Sequence, residues 1–177
     1  MRISEVAKLN LKAMLDIVSK KEYQAGYPDW RGQNTLKLPL EPGAQKGVTW
    51  CNVAAHDIIT SLDYNSKPFL NPKGIGWTNA NDFYKNAWKA VLAGKIERIP
   101  EAIGQQLANR GDIILLISHS LIGGSGHVAV IAPNSEPYKY SRGCRIIQAG
   151  AKNGEFWRSD IFDISTITPP IIVKCKR

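Results

Sequence analysis

The order of the hydrophobic periods predicts an α+β fold with a small antiparallel sheet. Helical spacing dominates the chain up to about Leu107. From Gly111 onward, short apolar runs bounded by glycine and turn residues replace it, so helices come first and strands last. A third observation is the run TWCNVAAHDIITSL at 49–62. There Cys51, Ala54, Ala55, Ile58, Ile59 and Leu62 form one continuous apolar face, suited to covering one side of the sheet.

The elements follow in order. SEVAKLNLKAMLDIVSKK has a helical pattern, with Val6, Leu9, Ala13 and Ile17 on one stripe and Leu11, Leu15 and Val18 beside it. Residues 1–25 are expected to be a helical extension of a single domain spanning 1–177. Residues 26–49 are rich in glycine and proline and read as a long surface loop, within which Gln45 stands six residues before Cys51. Thr49 can cap the cysteine helix. Asn79 or Asn81 can cap another through Phe83, Tyr84, Ala87, Trp88 and Val91, closed by Gly94 at C′. Its aromatic stripe is assigned to the core. Pro100 suits N1 of a short helix through Ile103, Gln106 and Leu107. DIILLIS, HVAVIA and CRIIQAG are then three strands.

Composition is that of an ordinary globular protein, with 44% hydrophobic and 21% charged residues, but the net charge of +8 is not ordinary. A basic surface favours polyanions without choosing among them. The cations are scattered apart from Lys174–Arg177, and aromatic residues are not interleaved with them, which argues against nucleic acid as a partner. Three cysteines form neither a disulfide framework nor a zinc or CxxC spacing, so no metal or other cofactor is expected. Cys144 and Cys175 can pair outside the cytosol, though a reduced chain is the simpler default. Charged residues interrupt the amino-terminal apolar run, so neither a signal peptide nor a membrane span is expected. The connection 118–126 lacks the lysine and the serine or threonine of a phosphate loop, which excludes nucleotide binding there.

A thiol in the first turn of a helix meets unpaired N–H groups and the positive end of the macrodipole, both of which favour a thiolate. Cys51 is therefore a candidate nucleophile; a small buried core residue is the alternative. Of three histidines, His56 lies five residues along the same helix, about 140° round from the thiol. His119 falls in a loose connection. His127 opens a strand after a glycine and is the candidate base. Gln148 shares a strand face with Ile146 and is the candidate to orient the imidazole. Gln45 can donate to an oxyanion, although a solvated loop glutamine is the plainer assignment.

TWCNVAAHDI at 49–58, RGDIILL at 110–116, GHVAVIAP at 126–133 and IIQAG at 146–150 together resemble the papain-like amidases and endopeptidases of bacterial cell walls, the NlpC-like and CHAP group. GHVAVIAP followed by QAG is similar to phage lysins and related murein hydrolases. The resemblance covers about residues 45–165. It implies a papain-like fold in which the cysteine helix packs on a small antiparallel sheet, with Cys51 as nucleophile, His127 as base and Gln148 as third residue. It departs from the family's common form in having Gln148 where a histidine, asparagine or acid is more usual, and Asn52 after the cysteine.

From this follows the expectation of a cysteine peptidase or amidase that cuts an amide bond in peptidoglycan as a monomer. It would be made in the cytoplasm and act at the periplasm or wall after release by a holin or a secretion apparatus, with an immunity protein as a possible partner. Two alternatives use the same scaffold: acyl or amide transfer to a nucleophile other than water, and a non-catalytic wall-binding or virion module.

Overall fold

The computed structural model describes residues 2–20, 23, 51–70, 79–122, 126–150, 152–162 and 166–177. Thr49, Gln45 and the loop 26–49 lie outside the described residues. The elements, in order, are α1 (Glu5–Val18), α2 (Cys51–Ser61), a 3₁₀ turn (Lys67–Phe69), α3 (Ala80–Leu92), β1 (Glu97–Arg98), α4 (Glu101–Ala108), β2 (Ile114–Ser118), β3 (His127–Ile131), β4 (Arg145–Gln148), β5 (Gly154–Trp157), α5 (Arg158–Ile161) and β6 (Ile171–Lys174). The strands form one six-stranded sheet in the order β1-β6-β2-β3-β4-β5, antiparallel at every pairing. The chain is thus mixed α+β with an antiparallel sheet. No helix among the described residues is long and apolar enough to cross a membrane.

Alternation along the strands divides the core. Ile113, Leu115, Ile117, Val128, Val130, Ile147 and Val173 point to the face covered by α1, α2 and α3. Ile114, Leu116, Ala129, Ile131, Ile146 and Ile172 point to the opposite face, beneath α4 and Phe162. Gly104 makes the approach of α4 possible, because a Cβ there would meet Ile131, Ile114 and Ile172 side chains.

The helix caps explain the boundaries. The Ser4 hydroxyl accepts the Ala7 N–H at 3.1 Å, and Asn79 Oδ1 accepts the Asp82 N–H at 2.9 Å. Gly94 adopts φ +67° at the C′ position of α3. Phe83 stacks on Phe69 with ring centroids 5.0 Å apart, which ties α3 to the 3₁₀ turn and places the stripe in the core as expected.

Two expectations are corrected. In α1 the inward face is Ala7, Leu11, Met14 and Val18; Val6 and Leu9 are 50% and 69% exposed. The 7-11-14-18 spacing buries Met14 in the core and leaves Val6 and Leu9 outward, while Ile17 of their stripe is buried. Helix α1 packs on α2, β4 and β5, and contributes Met14, Ile17 and Val18 to the larger core cluster. In α4, Pro100 is the N-cap and not N1, and Gly104, Gln105 and Ala108 face inward while Ile103 is exposed. All three cysteines are thiols, the simpler of the two states the sequence allowed. Cys144 belongs to the α4 side of the sheet and Cys175 to the α2 side, so the sheet itself separates them.

Candidate functional site

Cys51 is the first residue of α2 and is buried against the sheet. The far end of that helix leads to Tyr64, whose hydroxyl donates to the Gly111 carbonyl at 3.2 Å, and to Asn65, whose N–H donates to Lys176 O at 2.8 Å. Gly111 precedes β2 and Lys176 follows β6, so α2 ends where β2 begins and β6 finishes. Its first residue therefore lies toward the other end of the sheet. There β2 finishes at Ser118, and β3 begins at His127, which is paired with Ser118. Gln148, one step beyond the Val130–Ile147 pair and level with Ala129, ends β4 at the same side. Chain topology thus brings Cys51, His127 and Gln148 to one end of the sheet.

It does not bring them to one face. His127 shares the alternation of Ala129 and Ile131, and its ring lies against Phe162 with centroids 4.9 Å apart. Gln148 shares the alternation of Ile146, as expected, and its Nε2 donates to the Lys152 carbonyl at 2.6 Å. Cys51 belongs to the core cluster on the other face. The Gln148 amide is not bonded to the imidazole either, because His127 Nε2 is buried without a hydrogen-bond partner. The physical reason is strand parity. A residue and its neighbour two along share a face, and the valines of HVAVIA fill the α2 side, which turns His127 and Ala129 the other way.

Sequence reasoning overlooked Ser118. It is paired across the ladder with His127, wholly buried, and its hydroxyl also has no partner. Two unsatisfied polar groups therefore belong to directly paired residues on one face of the sheet. A buried hydroxyl without a partner costs its desolvation, so Ser118→Ala is expected to raise stability by about 1 kcal/mol. Urea denaturation would show this as a higher midpoint with an unchanged slope.

The connection between these two strands is held tightly. Asn81 Oδ1 accepts the Ser120 N–H at 3.0 Å, and His119 presents Nδ1 to the Ser120 carbonyl at 2.6 Å with its ring edge-on to Tyr84. A Cβ on Gly126 would collide with the Ser118 carbonyl and Asn81 Oδ1, both fixed. Gly126→Ala is expected to cost about 2–3 kcal/mol, read by thermal unfolding, since overpacking against backbone cannot relax by a rotamer change. His56, on α2, is partly exposed with Nδ1 3.3 Å from Asp57 Oδ1. No cluster of three or more metal-ligating side chains occurs among the described residues.

The other two thiols are unsuited to nucleophilic work. Burial, then the Glu101 carboxylate, pushes the Cys144 thiol well above the ordinary range, and burial alone pushes Cys175 up. In comparisons with known proteins, no family model matches the chain and no curated protein matches it.

Proposed function

We propose that the chain is a cysteine-dependent hydrolase that cleaves an amide bond of bacterial peptidoglycan, built on a papain-like scaffold. What carries this is the convergence, at one end of an antiparallel sheet, of a helix that opens with Cys51, a strand that opens with His127 and a strand that ends with Gln148. In that chemistry the Cys51 thiolate attacks the amide carbonyl, and the thiolate–carbon bond forms as the carbonyl π pair moves to oxygen. Backbone N–H groups at the start of α2 hold the oxyanion. His127 gives its proton to the departing amine, and water then hydrolyses the thioester. Because strand parity sets His127 on the Phe162 side, this chemistry requires the start of β3 to leave the ladder and turn the ring to the α2 side.

A specific observation favours a second reading. Cys51 and the His127 ring on opposite faces of the sheet suit a non-catalytic module that binds the wall through the same scaffold. Digestion of purified sacculi by the wild-type chain and by Cys51→Ala, followed by mass spectrometry of the soluble fragments, separates the two. Cleaved stem peptides from wild type alone support the hydrolase and name the bond. Intact sacculi from both, with binding retained, support the module.

A further inference from the structure

We infer that the end of the sheet remote from Cys51 carries a phosphate-binding cavity. A cavity of about 430 Å³ is lined there by Asn65, Lys67, Pro68, Lys95, Lys176 and Arg177. Four cations from three separate stretches of chain surround it, and no carboxylate side chain lines it among the described residues. Six cations elsewhere are paired with a carboxylate: Lys8 with Glu5, Lys85 with Asp82, Arg142 with Glu136, Arg145 with Glu155, Arg158 with Glu101, and Lys174 with Asp112. The four around this concavity have no carboxylate side chain among its lining residues.

The cavity is assembled by backbone and not by chance contact of side chains. The Asn65 N–H donates to Lys176 O at 2.8 Å, which pins the turn after α2 to the strand end after β6, and Asn65 Oδ1 accepts the Lys67 N–H at 3.0 Å. Lys176 Nζ donates to the Gly94 carbonyl at 3.3 Å, and the Arg177 guanidinium lies 5.2 Å from the centroid of the Tyr64 ring. Neither contact neutralises a charge. Four like charges around one concavity repel one another, and a bound anion relieves that repulsion. Three ammonium groups and one guanidinium suit an anion with several charged oxygens spread about one centre, which describes phosphate better than a single carboxylate. The 11 residues of α2 separate this cavity from Cys51 by about 16 Å, so the two ends can be occupied together.

The group can belong to a soluble phosphate compound or to a lipid headgroup, and two assays on the full chain distinguish them. One is calorimetric titration with sodium pyrophosphate; the other is co-sedimentation with phosphatidylglycerol vesicles against phosphatidylcholine vesicles. The double variant K95Q/K176Q is compared with K12Q/K139Q, which removes the same net charge outside the cavity. At least a tenfold weaker affinity in K95Q/K176Q, with K12Q/K139Q close to wild type, is expected. That loss in the pyrophosphate arm alone assigns a soluble phosphate, and its appearance in the phosphatidylglycerol arm assigns a headgroup. Equal weakening by both variants, or no binding by wild type in either arm, overturns the inference. Neither assay depends on hydrolysis, so the result stands apart from the fate of the cysteine chemistry.

Discussion

On the proposed hydrolase reading, His127→Ala is expected to slow peptidoglycan cleavage at pH 7 by at least about a hundredfold, the lower range for loss of a positioned acid–base group. Little stability should go with it. His127 Nε2 is already buried without a partner, so removing the ring abolishes an unsatisfied group as well as its packing on Phe162. The two effects oppose each other, and the melting temperature is expected to move by only a few degrees. Release of soluble fragments measured beside thermal unfolding checks both halves. A rate that falls only in proportion to unfolded protein would make His127 a structural residue.

Glu101→Ala carries the largest expected cost in stability. Its Oε1 accepts the Arg158 Nε–H at 3.0 Å and the Cys144 N–H at 2.7 Å, with the two side chains only 17% and 14% exposed. It ties the start of α4 to α5 and to the residue before β4. Its charge also acts on Tyr138, whose hydroxyl is pushed up to about 12, by burial first and by Glu101 second. Truncation leaves a largely buried guanidinium without its counter-charge and a backbone donor without its acceptor. Allowing for the remaining exposure, the loss is about 2–4 kcal/mol, read from urea denaturation. Glu101→Gln, which keeps an acceptor but not the charge, is expected to lose about half as much.

The α+β class, the cysteine helix, the helix closed by Gly94 and three of the strands were legible because each rests on local periodicity or a local cap. Strand β6 was not. Its short apolar run Ile171–Val173 follows two prolines and precedes a basic end, signals of a chain breaking off, yet it lies between β1 and β2 and has its identity from its neighbours. Strand β5 is an edge strand with every residue half-buried, and has no alternation to detect. Trp157 shows the same limit for charge patterning. It lies between Arg142 and Arg145, with guanidinium carbons 3.8 and 4.7 Å from the ring centroid, a grouping made by strand pairing and invisible along the chain.

At the candidate site, sequence order brought Cys51, His127 and Gln148 to one end of the sheet, because helix starts and strand ends are local features. Which face each side chain takes depends on register, and register is settled by packing. The pairing of Ser118 with His127 follows only once β2 and β3 are aligned.

The most direct test of Cys51 as an activated nucleophile is its rate of alkylation by iodoacetamide as a function of pH, mapped by peptide mass spectrometry. Cys144 and Cys175, buried as Cys51 is but with thiols pushed above the ordinary range, serve as internal reference thiols. A thiolate held by the start of α2 and by His127 is expected to alkylate at a rate that stays nearly level from about pH 8 down to about pH 6.5, and that falls in His127→Ala. A rate as slow as that of the two buried thiols, rising only above about pH 8.5 and indifferent to His127, would contradict it.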